Sequence, residues 1–127
     1  MIQLIRAILR DPEDYTRITL ISCQRTEQDL LLHPFLESLA KLNPEQLVIH
    51  TVLSKPSESW TGPSGHVNRE ILENLLPASK KDSFICVCGT PGFYETVSGG
   101  KAPDKSQGEL GGLLKDMGYQ QGQVFKI

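Results

Sequence analysis

Cys88-Gly89-Thr90-Pro91 is the segment where residue types and order first suggest chemistry. It follows Ser83-Phe84-Ile85-Cys86-Val87, an apolar, β-prone run that predicts a strand continuous with Cys88. Pro91 suits the first position of a helix. A thiol and a glycine turn at the carboxyl end of a strand stand where open α/β sheets bind ligands. The free N–H groups and the positive dipole end of the helix would suit a phosphate or a polarised ring substituent. The same residues also make an ordinary strand-to-helix turn after a core cysteine, and both readings stay open on composition alone.

Other constellations carry less. Ser98-Gly99-Gly100-Lys101 has a faint likeness to a phosphate loop. The glycine five positions before Gly100 is missing, however, and Ala102 stands where Ser or Thr is required, so it reads as a surface loop. Cys86 and Cys88, with Cys23 and the scattered His33, His50 and His66, lack the second ligand pair of a closed zinc site, so no metal is expected. No Ser-His-Asp order or pair of carboxylates stands out.

The elements that position these residues alternate. Ile2, Ile5, Ile8 and Leu9 form one helical stripe, stopped by Asp11-Pro12. Arg17 to Ser22 predicts a strand. Thr26-Glu27-Gln28-Asp29 is a capping-box start that should lead a helix into Leu30, Leu31 and Leu32, with a second helical piece beginning around Pro34. Gln46 to Leu53 predicts a strand, Ser54 to Gly65 a loop around Trp60, and Asn68 the cap of a helix closed by Pro77. The strand ending at Cys88 reads as apolar on both faces, as in the middle of a parallel sheet. After the helix opened by Pro91 and the polar stretch Ser98 to Ser106, a final helix should end near Met117-Gly118, burying Leu110, Leu113, Leu114 and Met117, before a last strand from Gln123 to Ile127. This is the pattern of an α/β domain with a mostly parallel sheet and helices on both faces. It begins on a helix, so the sheet is expected to lack its first strand and the phosphate-binding turn that follows it.

Composition narrows the function classes. The chain has 127 residues, enough for one domain, and 13 basic against 15 acidic side chains give a net charge of −2. That balance argues against a nucleic-acid partner. No apolar run approaches the ~18 residues of a membrane span. An odd count of three cysteines and an N-terminus without a cleavable signal pattern suggest an intracellular, reducing setting.

Five segments in order resemble the C-terminal nicotinamide-nucleotide domain of NADH-cytochrome b5 reductases, within the ferredoxin-reductase-like flavoproteins. Met1 to Ile8 resembles the helix after that family's glycine-rich loop. Gln24-Arg25-Thr26-Glu27-Gln28-Asp29 resembles its N-Q-T-E-x-D segment, and Trp60 with Gly65-His66-Val67 its W…G-x-V stretch. Cys88-Gly89-Thr90-Pro91-Gly92-Phe93 resembles its C-G-P-P-P-[MF] motif. The tail, Gln107 to Lys126, is most similar to fungal mitochondrial members.

The resemblance implies a Rossmann-like nucleotide domain over residues 1–127, truncated at its N-terminus and without its flavin-binding barrel. It would take NADH or NADPH. It would pass hydride to FAD held by a domain in cis or in trans, and electrons on to a haem protein such as cytochrome b5. The full-length parent would sit at the mitochondrial or endoplasmic-reticulum membrane, and this chain alone would not turn over. Cys88 would border the nicotinamide, with Gly89, Thr90, Pro91 and Phe93 beside the cofactor. Gln24, Arg25, Asp29, Ser54 and Lys55 would surround the adenosine ribose, although Asp29 also suits a purely structural role in its turn. Ser54 stands where many members carry an Asp, and Ser54-Lys55 resembles the Ser-Arg pair of NADPH-using relatives, so the resemblance also raises acceptance of NADPH. The alternative reading is a non-catalytic nucleotide-binding or protein-interaction module whose sheet gap is filled by dimerisation or a partner chain.

Overall fold

The computed structural model describes residues 1–77 and 81–127. Along the chain run α1 (Ile2–Arg10), β1 (Ile18–Gln24), a 3₁₀ turn (Glu27–Asp29), α2 (His33–Leu42), β2 (Leu47–Leu53), α3 (Arg69–Leu75), β3 (Ile85–Val87), α4 (Pro91–Val97), α5 (Gly112–Asp116), a second 3₁₀ turn (Gln121–Gln123) and β4 (Val124–Lys126). These residues form two compact units, one of Ile2–Leu76 and one of Met1 with Pro77–Ile127. Residues 78–80, just beyond the expected helix stop at Pro77, lie outside the described set.

In the first unit β1 and β2 pair in parallel, from Ile18 opposite Leu47 to Gln24 opposite Leu53. Parallel strands need a crossover, which the 3₁₀ turn and α2 supply, and α2 packs on β2. Ile5, Leu36, Leu47, Val52, Leu53 and Leu72 are buried. The Asn68 side chain caps α3 by accepting from Ile71 N at 2.9 Å. In the second unit β3 and β4 pair in parallel, Ile85 to Val87 against Val124 to Lys126, and α4 packs on α5. Val87, Tyr94, Val97, Leu110, Leu114, Met117, Tyr119 and Val124 are buried there. Both pairs of strands are parallel and each is bridged by helix, which agrees with the expected α/β class.

Three expectations are corrected. The Thr26 capping box forms but leads only into a three-residue 3₁₀ turn. The expected helix had only the residues up to Leu32 before the break at Pro34, too few to repay the nucleation of an α-helix. The chain therefore leaves the turn at Leu30, and Leu31 stands 85% exposed before α2 starts. Next, β3 is shorter than expected and its apolar run is not buried on both faces. Phe84 is 73% exposed and meets the Phe125 ring at 6.1 Å, and among the described residues β3 pairs with β4 alone. Last, the stretch after α4 is not simply a surface loop. Ser98 is fully buried and its carbonyl accepts from Gly111 N at 2.9 Å. Gly99 has φ +77°, and a Cβ on it would lie 2.8 Å from Gly111 N, so only glycine fits.

Candidate functional site

In the first unit the parallel ladder runs past the strand ends. Ser54 N donates to Gln24 O at 3.0 Å and Lys55 N to Arg25 O at 2.8 Å. Gln24, Arg25, Ser54 and Lys55 are thereby set side by side at the carboxyl ends of β1 and β2. The loop that follows is pinned at two places. Leu53 N donates to Pro63 O at 3.2 Å and Gly65 N to Leu53 O at 2.8 Å, while the Trp60 indole N–H donates to Pro63 O at 3.1 Å. At its other end the Glu27 carboxylate accepts from Ser57 N at 3.0 Å and from the Ser57 hydroxyl, which lies 2.9 Å from Ser59 Oγ. The Ser57 hydroxyl, with backbone N–H groups, holds the Glu27 carboxyl below its ordinary range. Asp29 closes its own turn, its Oδ2 accepting from Thr26 N at 3.0 Å and Thr26 Oγ1 at 2.9 Å. What remains outward at the strand ends is an amide, a hydroxyl and two cations.

The second unit holds the cysteine turn. β3 ends at buried Val87, whose carbonyl accepts from Ile127 N at 2.8 Å, and the next residue, Cys88, is exposed. Thr90 caps α4, its Oγ1 accepting from Phe93 N at 3.3 Å, with Pro91 in the first turn. The close approach that Gly89 allows is made by the protein itself. A Cβ there would lie 2.6 Å from Phe93 Cδ1, so the Phe93 ring already covers that face of the turn. The Tyr94 hydroxyl donates to the Ile127 carbonyl and ties α4 to the end of β4. Beside it, Pro91, Tyr94, Glu95, Gly100 and Lys101 line a small open cleft of about 240 Å³. Burial pushes the Cys23 and Cys86 thiols up, so both stay protonated at neutral pH. Cys88 is the exposed thiol of the three.

The structure thus gathers Gln24, Arg25, Ser54 and Lys55, with Asp29 in the following turn, and separately gathers Cys88, Gly89, Thr90, Pro91 and Phe93. Sequence reasoning missed two residues that shape these places. Glu27 was read as part of a helix start, and its partner lies 30 residues on. Lys126 is 4% exposed, and its ammonium donates to the carbonyls of Gly100, Gln107 and Glu109 at 3.0, 2.7 and 2.9 Å. Its only sequence signal is a charge between Phe125 and Ile127 in a strand. Among the described residues no group of three His, Cys, Asp or Glu side chains is arranged to hold a metal.

Residues 1–99 match the family model of the oxidoreductase NAD-binding domain. The chain belongs to that family. Among curated relatives of this NAD-binding domain, NADH-cytochrome b5 reductase 2 of Aspergillus terreus is 45% identical over 128 residues, covering 100% of this chain and 40% of that protein. The protein of the same name from Yarrowia lipolytica is 40% identical over 126 residues, covering 98% and 43%. The chain therefore spans roughly two-fifths of the length of these relatives. Among solved structures, the cytochrome b5 reductase domain of Ulva prolifera nitrate reductase superposes with TM-score 0.80 at 28% identity, covering 98% of this chain and 44% of that one. The CS-b5R domains of human Ncb5or, in the NAD⁺ form, share the fold with TM-score 0.76 at 23% identity, covering 99% and 32%. The likeness to fungal NADH-cytochrome b5 reductases expected from five motifs agrees with these matches.

Proposed function

We propose that this NAD-binding domain holds a nicotinamide nucleotide for a flavin-dependent reductase, with the adenosine part at Gln24, Arg25, Asp29, Ser54 and Lys55 and the nicotinamide beside Cys88. The observation that carries the reading is the extended ladder at the ends of β1 and β2. It places an amide, a hydroxyl and two cations at the carboxyl edge of parallel strands, where such folds receive nucleotides. That donor set fits the hydroxyls and phosphates of an adenosine nucleotide. Glu27 acts through Ser57 to hold the Ser54–Gly65 loop in place, and the capped turn at Thr90 presents Cys88 at the end of β3. The Phe93 ring packs against Gly89 in this turn.

Bound FAD, supplied by a barrel domain in cis or in trans, would convert hydride into single electrons for a haem protein such as cytochrome b5. This chain's share is to bind and orient the nicotinamide ring against that partner. Membrane attachment at the mitochondrion or endoplasmic reticulum is a property we assign to the full-length parent. No helix among the described residues is long and apolar enough to cross a membrane.

Calorimetric titration of the chain with NADH and NADPH, after circular dichroism confirms a folded sample, tests the reading. Saturable one-to-one binding of either nucleotide supports it. A folded chain that takes up neither refutes it.

A further inference from the structure

Cys86-x-Cys88 lacks the further ligands that a closed metal site needs, but it sets two thiols on one face of a strand. Side chains two residues apart in a strand point the same way, and the residue between them points to the opposite face. Val87, between the two, is buried, whereas Cys86 is half-buried and Cys88 is exposed. Both thiols therefore lie on the open face of the β3–β4 pair, which also carries the exposed rings of Phe84 and Phe125. The ladder reaches this point. Ile127 N donates to Val87 O at 2.8 Å, one residue past the last strand pair, Val87 with Lys126, so Cys88 stands opposite Ile127.

Two residues of extended strand put their Cα atoms about 6.5 Å apart, within the ~4.4–6.8 Å that a disulfide spans. Cys88 lies beyond the end of β3, and Gly89, which has no Cβ, follows it. The strand end can therefore turn the Cys88 sulfur toward Cys86 without a side chain in the way. All three cysteines are free thiols, and Cys23 belongs to the other compact unit.

We propose that Cys86 and Cys88 are a peroxide-responsive thiol pair that closes to a disulfide and, by drawing Cys88 away from the nicotinamide, weakens nucleotide binding. The effect on binding rests on the nucleotide-binding reading above; the disulfide itself does not. The Cys88 thiolate attacks a hydroperoxide, so that a sulfur–oxygen bond forms and the oxygen–oxygen bond breaks. The other oxygen takes up the proton that the thiol gave and leaves as an alcohol, or as water from hydrogen peroxide. The Cys86 sulfur then attacks the Cys88 sulfenic acid. The disulfide forms as the sulfur–oxygen bond breaks, and hydroxide leaves with the Cys86 proton as water. Two electrons pass from the thiols to the peroxide. Burial holds the Cys86 thiol up and protonated while Cys88 meets solvent, which sets the order of the two steps.

Hydrogen peroxide added to the 127-residue chain, followed by intact-mass and peptide mass spectrometry, tests the pair. The chain should lose two hydrogen atoms, with Cys86 linked to Cys88 in one peptide, and dithiothreitol should restore both thiols. C86S should halt at the Cys88 sulfenic acid, trapped by dimedone. Sulfinic or sulfonic Cys88 in the unaltered chain with Cys86 still free, or a bridge to Cys23, overturns the pair. The disulfide form should bind NADH or NADPH at least about fivefold more weakly than the reduced chain, and recover on reduction. Unchanged affinity in a chain shown to carry the bridge overturns the switch. A reduced chain that binds neither nucleotide refutes the nucleotide-binding reading and the weakening with it, while the mass spectra still decide the pair.

Discussion

Lys126→Met removes a buried charge yet keeps an unbranched stem of similar length, so it isolates the polar cage around the ammonium. That ammonium donates to three carbonyls, of Gly100, Gln107 and Glu109, which lie along the loop between α4 and α5. The backbone of Lys126 adds a reciprocal pair with Gln107, its N–H donating to Oε1 at 2.6 Å and its carbonyl accepting from Nε2 at 2.9 Å. Hydrogen bonds to a charged group contribute roughly 1.5–3 kcal/mol each, and taking an ammonium out of water offsets several kcal/mol of the sum. Because Gln107 and Glu109 are exposed, water can reach their carbonyls once the ammonium is gone. A net loss of about 2–3 kcal/mol follows for the Met variant.

Urea unfolding monitored by circular dichroism reads this as a lower midpoint at unchanged slope. Amide exchange at Gly111, whose N–H bonds to Ser98 O, should quicken in the same variant. The pH dependence has a definite sign. Burial holds the Lys126 ammonium below its ordinary pKa, so between the folded value and about 10.4 the unfolded chain binds more protons. Stability from this group therefore rises with pH across that window, and the Met variant lacks the rise. A Met variant within about 0.5 kcal/mol of the parent, with Gly111 exchange unchanged, would refute the cage as a determinant of the loop.

Three further outcomes are expected. Glu27→Gln should loosen the Ser54–Gly65 loop, read as faster proteolysis there and a changed Trp60 emission. Since the folded carboxyl sits below its ordinary range, the parent's loop contact is intact above about pH 4.3 and is lost as pH falls through the folded value, a transition the Gln variant should not show. Gly89→Ala forces a methyl against Phe93 and should cost about 1–3 kcal/mol by thermal melting, whereas Gly92→Ala, with open space around it in α4, should be neutral or stabilise by up to about 1 kcal/mol. Iodoacetamide at neutral pH should label Cys88 ahead of Cys23 and Cys86, and saturating nucleotide should slow that labelling at least about fivefold, as measured by mass spectrometry.

Much of this architecture was legible because its signals are local. Asn68 as a cap, Thr90-Pro91 as a helix start and Gly118 after α5 each act within a turn of chain, and the structure uses them as residue type predicts. Leu114 and Met117 are buried as their spacing suggested, whereas Leu113 is half-buried and Leu110 is buried from the segment before α5. The extra helix after Thr26 was misjudged because the capping box was weighed without the cost of nucleating a helix in the few residues ahead of Pro34. Contacts between distant segments were not readable: Glu27 to Ser57 spans 30 residues, and the cage of Lys126 draws on a loop that looks like ordinary polar surface. Phe84 reads as core from its type, yet it is exposed just before β3, with the Phe125 ring beside it. For the candidate site, motif order supplied the family, and only the ladder beyond β1 and β2 revealed that Gln24-Arg25 and Ser54-Lys55 lie on adjoining strand ends.

The most direct test of nucleotide binding is residue-resolved: amide ¹H–¹⁵N shifts of the folded chain, recorded while NADPH is added. Saturable shifts should cluster at Gln24, Arg25, Ser54 and Lys55 and again at Cys88, Gly89, Thr90 and Phe93. A spectrum that stays unchanged at millimolar nucleotide, or shifts confined to other surfaces, would contradict it.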